Sequence, residues 1–230
     1  LALDGALWGA FGTTGQRCTA TSRIILHEKI ADEFIARFEE KASHIRVGDG
    51  LKPETQMGPL VNLSQQEVVA DYVRIGIEED RAKLVLGGQS LKDGSYAKGY
   101  FFQPTIFADV TRNMRIAREE IFGPVVSIIR VKDFEEAIDV LNDTEYGLSS
   151  SIYTRNVNLA FRAIRDIEAG ITYVNGPTIG AEIQLPFGGL KNTGNGHRES
   201  SHTVLDTFSE WKSIYVDYSG RLQRAQIDTD

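Results

Sequence analysis

The sequence predicts an α/β fold, a mostly parallel open sheet flanked by helices. Three observations predict it. Apolar residues alternate along the chain between helical spacing and short strand-like runs. The strand-like runs are separated by helices long enough to carry the chain from one parallel strand to the next, the pattern of βαβ units with right-handed crossovers. The composition, 230 residues with 41% hydrophobic and 25% charged, is that of a globular chain with a sizeable core. It excludes collagen-like, coiled-coil and disordered classes.

Leu3, Leu7, Trp8 and Phe11 give residues 1–14 a helical stripe. Arg23 to His27 reads as a short buried strand. Ile30, Phe34, Ile35, Phe38, Ala42 and Ile45 form the next helical face. Gly48, Gly50, Pro53, Gly58 and Pro59 mark a loop from Val47 to Asn62. Ser64 and Glu67 have the spacing of a capping box, which predicts a helix through Val68, Tyr72 and Val73. Lys83 to Leu86 is a strand stopped by Gly87-Gly88, and Tyr100 to Phe107 is an extended run broken by Pro104.

The second half repeats the alternation. Val125 to Val131 is a strand, and Asp133 with Glu136 caps a helix through Phe134, Ala137, Ile138 and Leu141. Leu148 to Tyr153 is a strand, and Asn156 caps a helix that is expected to end at a left-handed Gly170. Ile171 to Val174 is a strand. A loop from Asn175 to Gly196 then carries six glycines. A helix is expected over Glu199 to Phe208 and a last strand over Ser213 to Tyr218. No repeat and no low-complexity segment interrupts this order.

The formal charge of −7 disfavours nucleic acid and anionic membrane as partners. No apolar run approaches the ~18 residues of a membrane-spanning helix. Leu1-Ala2-Leu3-Asp4 lacks the basic start of a signal peptide, so a cytoplasmic location is expected. The single cysteine, Cys18, rules out an intrachain disulfide. Its neighbours Gln16, Arg17 and Thr19 are polar. Arg17 or a backbone N–H would favour a thiolate there, although an inert buried cysteine fits the spacing as well. His27, His44, His197 and His202 have no ligand spacing, so no metal is expected, and a Cys18–His197 or Cys18–His202 dyad stays open. Glu119-Glu120-Ile121-Phe122-Gly123-Pro124 sets two acids and an aromatic just before a strand, and loops at strand ends are where sites of α/β sheets form. The glycine-rich loop ends in neither a phosphate-loop nor a dinucleotide-fingerprint pattern. Its length still points to function.

Taken in order, the motifs resemble the C-terminal, catalytic half of the aldehyde dehydrogenase superfamily. They are Gly15-Gln16-Arg17-Cys18, Gln56-Met57-Gly58-Pro59-Leu60-Val61, Gly99-Tyr100-Phe101 with Pro104-Thr105, Glu119 to Pro124, Tyr146-Gly147-Leu148, Gly170 with Val174-Asn175, and Pro186-Phe187-Gly188-Gly189. The resemblance implies a catalytic domain over 1–208 and an oligomerisation strand and tail over 209–230. Cys18 is then the nucleophile that carries a thiohemiacetal and a thioester. Glu120 binds the nicotinamide-side ribose of NAD or NADP, Phe122 packs near the nicotinamide, and Phe187 lines the substrate tunnel. Gly176 to Leu185 shapes the pocket. Homo-oligomerisation through 212–218 is expected, with a small aldehyde as the other partner.

Three departures qualify the resemblance. The family's general base, a glutamate in a Glu-Leu-Gly-Gly segment, lies upstream of the nucleophile, and the 17 residues before Cys18 contain no glutamate. The oxyanion asparagine and the cofactor-binding domain have no counterpart either. The chain is therefore expected to be a fragment, inactive alone. Arg17 resembles the subgroup acting on aminoadipate semialdehyde, as do Gly147 to Ser151 and Gly180 to Ile183, although Gln184-Leu185-Pro186 does not. An arginine beside the reacting carbon suits a carboxylate-bearing semialdehyde. An acylating, coenzyme A-dependent relative and a non-catalytic assembly domain are the competing readings.

Overall fold

The structure is a computed structural model that describes residues 1–221. Helix α1 (Ala2–Phe11) runs into a one-turn 3-10 segment, Gly12–Gly15, and then into β1 (Arg23–His27) and α2 (Glu28–Ser43). Next come α3 (Leu63–Glu78), β2 (Lys83–Leu86), the two-residue strands β3 (Ser90–Leu91) and β4 (Phe101–Phe102), and β5 (Thr105–Val110). The chain continues through α4 (Arg115–Arg118), β6 (Val125–Val131), α5 (Phe134–Asn142), β7 (Tyr146–Gly147) and β8 (Ser149–Ile152). It closes with α6 (Val157–Asp166), β9 (Ile171–Val174), β10 (Leu190–Lys191) and α7 (Val204–Phe208).

The main sheet has the order β1-β6-β5-β2, with β1, β6 and β5 parallel and β2 antiparallel at the edge. β6 is the most apolar strand because both of its faces are covered. Val125, Ile129 and Val131 point into one core with Val69 and Val73 of α3 and Phe107 of β5. Val126 and Ile128 point into the other, with Phe11 of α1, Ile35 and Phe38 of α2, and Ile106 of β5. The alternation along β5 and β6 is therefore what separates the two cores. Smaller pairs, β8 with β9, β7 with β10 and β3 with β4, stand apart from this sheet.

Local chemistry sets the helix starts. Asp133 accepts from Glu136 N at 2.8 Å, while Glu136 Oε2 reaches back to Lys132 N at 2.9 Å. Asn156 accepts from Asn158 N and Leu159 N. His27 caps α2 through Nδ1, the structural role open to any of the histidines.

Four expectations need correction. Asn62, not Ser64, caps α3: its Oδ1 accepts from Gln65 N at 2.8 Å, and Ser64 lies inside the helix. Gly170 is not a left-handed helix end, because α6 stops at Asp166. It is glycine because a Cβ there would fall 1.7 Å from the Gly188 carbonyl oxygen. Helix α7 starts at Val204 rather than Glu199. No strand forms over 213–218, since an extended segment becomes a strand only with a ladder partner and no described strand pairs with it. Residues 222–230 of the expected tail lie outside the described residues.

Phe38 is fully buried, with its ring 6.0 Å from Phe11 and 5.8 Å from Phe34. It therefore holds α1, which leads directly to Cys18, against α2. Phe38→Ala is expected to cost about 3–5 kcal/mol of stability, measured by urea denaturation. A loss below about 1 kcal/mol would mean that the site closes around the cavity.

Candidate active site

The loop before Cys18 has an unusual backbone. Thr13, Thr14 and Gly15 are left-handed in succession, with φ of 60°, 61° and 67°. For β-branched threonine this costs energy and needs support from its surroundings. Thr14 is buried and donates to Gly58 O at 3.1 Å. Gln16 spans the same neighbour, donating to Pro59 O at 3.3 Å and accepting from Val61 N at 2.9 Å. So the Gly15-to-Cys18 and Gln56-to-Val61 motifs are two sides of one hydrogen-bonded unit.

A third motif joins at Gly15. A Cβ on Gly15 would stand 2.1 Å from the Gly123 carbonyl oxygen, so only glycine permits this approach. The segment Glu119 to Pro124 is fixed from three sides. Gln65 of α3 donates to the carbonyls of Ile121 and Phe122 at 2.9 and 3.1 Å. Thr105 N donates to Pro124 O at 2.8 Å. The Glu119 carboxylate accepts from Arg115 and Tyr72. Phe122 takes a left-handed φ of 54° and leaves its ring 40% exposed.

The residues after Cys18 are tied to the variable loop. Thr178 donates to Thr19 O at 2.8 Å and pairs with Thr21 Oγ1 at 2.8 Å. Ser149 of β8 donates to Thr178 O at 2.7 Å. The remaining motif glycines meet one another: Gly170 N donates to Gly147 O at 2.9 Å, and Gly170 lies against Gly188. Asn175 is the left-handed corner after β9, with its side-chain amide paired to both backbone groups of Thr154.

These contacts surround a cleft of about 750 Å³, and Arg17, Cys18, Glu120 and Phe122 all line it. Cys18 is exposed, so the inert buried cysteine is set aside. The guanidinium of Arg17 and the carboxylate of Glu120 have no partner among the described residues. Phe187 is half-buried and lies outside the cleft lining. Its backbone instead exchanges hydrogen bonds with Glu199. His197 and His202 also lie outside, so no Cys–His dyad is assembled there. Among the described residues no cluster could hold a metal ion, and no helix is long and apolar enough to cross a membrane. The sequence reading did not single out Gln65, Thr178 or the Tyr72–Glu119–Arg115 group. Apart from the i, i+4 pair of Arg115 with Glu119, they act through contacts across tens of residues, which no local spacing reports.

Fold and site together define a class: an α/β domain that presents one exposed thiol and one unpaired carboxylate to a shared cleft. Residues 1–214 match the profile of the aldehyde dehydrogenase family, and the chain belongs to that family. It is 40% identical over 215 residues to an alpha-ketoglutaric semialdehyde dehydrogenase of Bacillus subtilis. It is 43% identical over 216 residues to a betaine aldehyde dehydrogenase of Mesorhizobium japonicum. Each alignment covers 94% of this chain and 44% of the relative, so the chain spans less than half the length of these relatives. Among solved structures, a betaine aldehyde dehydrogenase of Staphylococcus aureus in complex with NAD+ superposes with a TM-score of 0.87 at 31% identity, over 90% of this chain and 40% of that one. A 1-pyrroline-5-carboxylate dehydrogenase from Thermus with bound NAD does so at 0.84 and 39%, over 90% and 39%.

The Glu119 carboxyl is held below its ordinary value near 4.5, first by the Arg115 hydrogen bonds, against some burial, and then by Tyr72. Such a group contributes stability that is present above its unfolded pKa and lost as pH falls through the lower, folded one. Urea denaturation of Glu119→Gln is therefore expected to show a smaller loss of stability between pH 7 and pH 3 than the unaltered chain. An unchanged pH dependence would show that the Arg115 contact is lost in solution.

Proposed function

We propose that this chain is the thiol-bearing half of an NAD(P)-dependent aldehyde dehydrogenase that oxidises a carboxylate-bearing semialdehyde to the acid. The observation that carries this reading is the joint placement of Cys18, Arg17, Glu120 and Phe122 on one cleft. Cys18 Sγ adds to the aldehyde carbon and forms a thiohemiacetal. Loss of hydride from that carbon leaves a thioester on Sγ. Hydrolysis of the thioester releases the carboxylic acid and returns the thiol.

A nicotinamide dinucleotide, when bound, supplies the hydride acceptor. The residues present fit it. Glu120 offers a free carboxylate to a sugar diol, and the Phe122 ring stands out of the wall beside it as an apolar surface for a planar ring. Relatives solved with NAD support NAD as the dinucleotide. The adenosine end, and with it the choice between NAD and NADP, falls to residues of the longer protein. This reading assigns the general base there too, because the chain spans less than half the length of the relatives it matches.

Arg17 supports the substrate class. An unpaired guanidinium one residue from the nucleophile can take a carboxylate in two parallel hydrogen bonds. The Bacillus subtilis relative is named for alpha-ketoglutaric semialdehyde, an aldehyde that carries one carboxylate, which supports this class. Phe187 belongs to the tunnel wall only if the substrate reaches beyond the cleft lining. The exposed apolar residues Trp211, Ile214, Val216 and Tyr218 are the surface through which two copies associate, gaining there the ladder partner that no described strand supplies.

The test uses the full-length enzyme. Cys18→Ala is expected to abolish aldehyde-dependent NADH formation. Arg17→Gln is expected to lower kcat/KM for carboxylate-bearing semialdehydes by roughly 10- to 100-fold, through a lost charge-assisted bidentate contact, with neutral aldehydes changed less than about threefold. Turnover that survives Cys18→Ala would overturn the mechanism. Equal losses on both aldehyde classes would overturn the substrate assignment.

A further inference from the structure

Glu119 and Glu120 are adjacent carboxylates with opposite surroundings. Glu119 is saturated. Its Oε1 accepts from Arg115 Nε at 2.9 Å, and its Oε2 accepts from Arg115 Nη2 at 3.1 Å and from Tyr72 Oη at 2.8 Å. Glu120 has no side-chain partner and faces the cleft. The backbone of Glu119 is extended, with φ −96° and ψ 146°, and both residues border the cleft, but the Glu119 carboxylate is bound to Arg115 and Tyr72. One carboxylate grips the body of the domain while the next reaches out.

The grip extends further than one pair. Arg115 also donates from Nη1 to Glu79 at 3.0 Å, at the C-terminal end of α3. The Asp80 carboxylate takes the backbone N–H groups of Arg115 and Ile116 at 3.1 and 3.0 Å, which fixes the start of α4. Tyr72 comes from α3 itself. Glu119 is thereby joined to α3 twice, once directly and once through Arg115. The fork of Arg115 on Glu119 fixes an angle as well as a distance.

We infer that Tyr72, Arg115 and Glu119 form a positioning device that sets the direction of Glu120 toward the dinucleotide ribose. This rests on the reading of Glu120 as the ribose-binding acid. A carboxylate on a short four-residue helix end has no rigidity of its own. A bidentate sugar contact needs its acceptor held to within about 0.5 Å. No described residue holds the Glu120 side chain directly, so its precision comes from the residue before it.

The experiment measures the Kd of the full-length enzyme for NAD+ or NADP+, whichever the unaltered protein binds more tightly. Tyr72→Phe and Arg115→Met are each expected to raise it roughly tenfold, the loss of a contact that orients a binding group. A merely structural role would lower the melting temperature without this effect. The separating measurement is the same pair of substitutions on a Glu120→Gln background. If they act through Glu120, they cost less than about twofold there, and the rate of iodoacetamide labelling at Cys18 stays unchanged throughout. Kd values indifferent to both substitutions, or losses as large on the Glu120→Gln background as on the unaltered one, would overturn the device while leaving Glu120 its role. A Kd insensitive to Glu120→Gln itself would overturn the reading of Glu120, and the device with it. If either single variant fails to fold, the other carries the comparison.

Discussion

The site depends on one close backbone contact, Gly15 against the carbonyl of Gly123. No side chain can intervene there. The Cys18 loop and the Glu120–Phe122 segment are therefore held at a distance fixed by main-chain atoms alone. Everything else around the cleft can be read as support for that contact. Gln16 and Thr14 fasten the Cys18 loop to Gly58, Pro59 and Val61. Gln65, Thr105 and Glu119 fasten the opposite segment to α3, β5 and α4. Under the proposed function, a thiol and a carboxylate serving one small molecule need this kind of fixed spacing, because small displacements in such sites cost large factors in rate.

The placement of the site on the sheet follows from the same contact. Cys18 precedes β1, and Glu120 precedes β6. These strands are parallel neighbours, joined at their entry by Ser127 N to Ser22 O at 2.9 Å. Both loops therefore arrive at one end of the sheet, the N-terminal end of its strands. In many open parallel sheets the site sits at the opposite end. Here the two loops that enter the sheet line the cleft that holds Cys18 and Glu120. Thr178 adds the third wall from the far side of β9.

The main sheet was legible from the sequence because its signals are local. Val125 to Val131 and Arg23 to His27 are apolar runs of strand length, and α2 shows its buried face as a 3.6-residue stripe. The motif residues were legible too, but as a resemblance rather than as geometry. What the sequence hid were features made by distant contacts. β7 and β10 exist only because Gly147 and Leu190 meet, and two residues carry no periodicity. Asn62 and Ser64 offer competing caps with similar spacing, and only the fold selects Asn62. Gly170 looked like a helix end because glycine favours one, whereas its reason is the approach of Gly188.

Part of the backbone strain lies where the chemistry is assigned. Thr13, Thr14 and Phe122 are non-glycine residues in left-handed conformation within two loops that touch. Each such residue costs on the order of 1–3 kcal/mol and persists only where its surroundings over-determine it. Those surroundings are visible: Gly58 O for Thr14, and the Gln65 amide on the two carbonyls that flank Phe122 Cα. A glycine at 122 would relieve the strain and remove the ring. The sequence keeps the ring, and the domain carries the strain through hydrogen bonds from α3. The helix that anchors Glu119 through Tyr72 is thus the same helix that holds Phe122 in place through Gln65, so one element aligns both groups assigned to the dinucleotide.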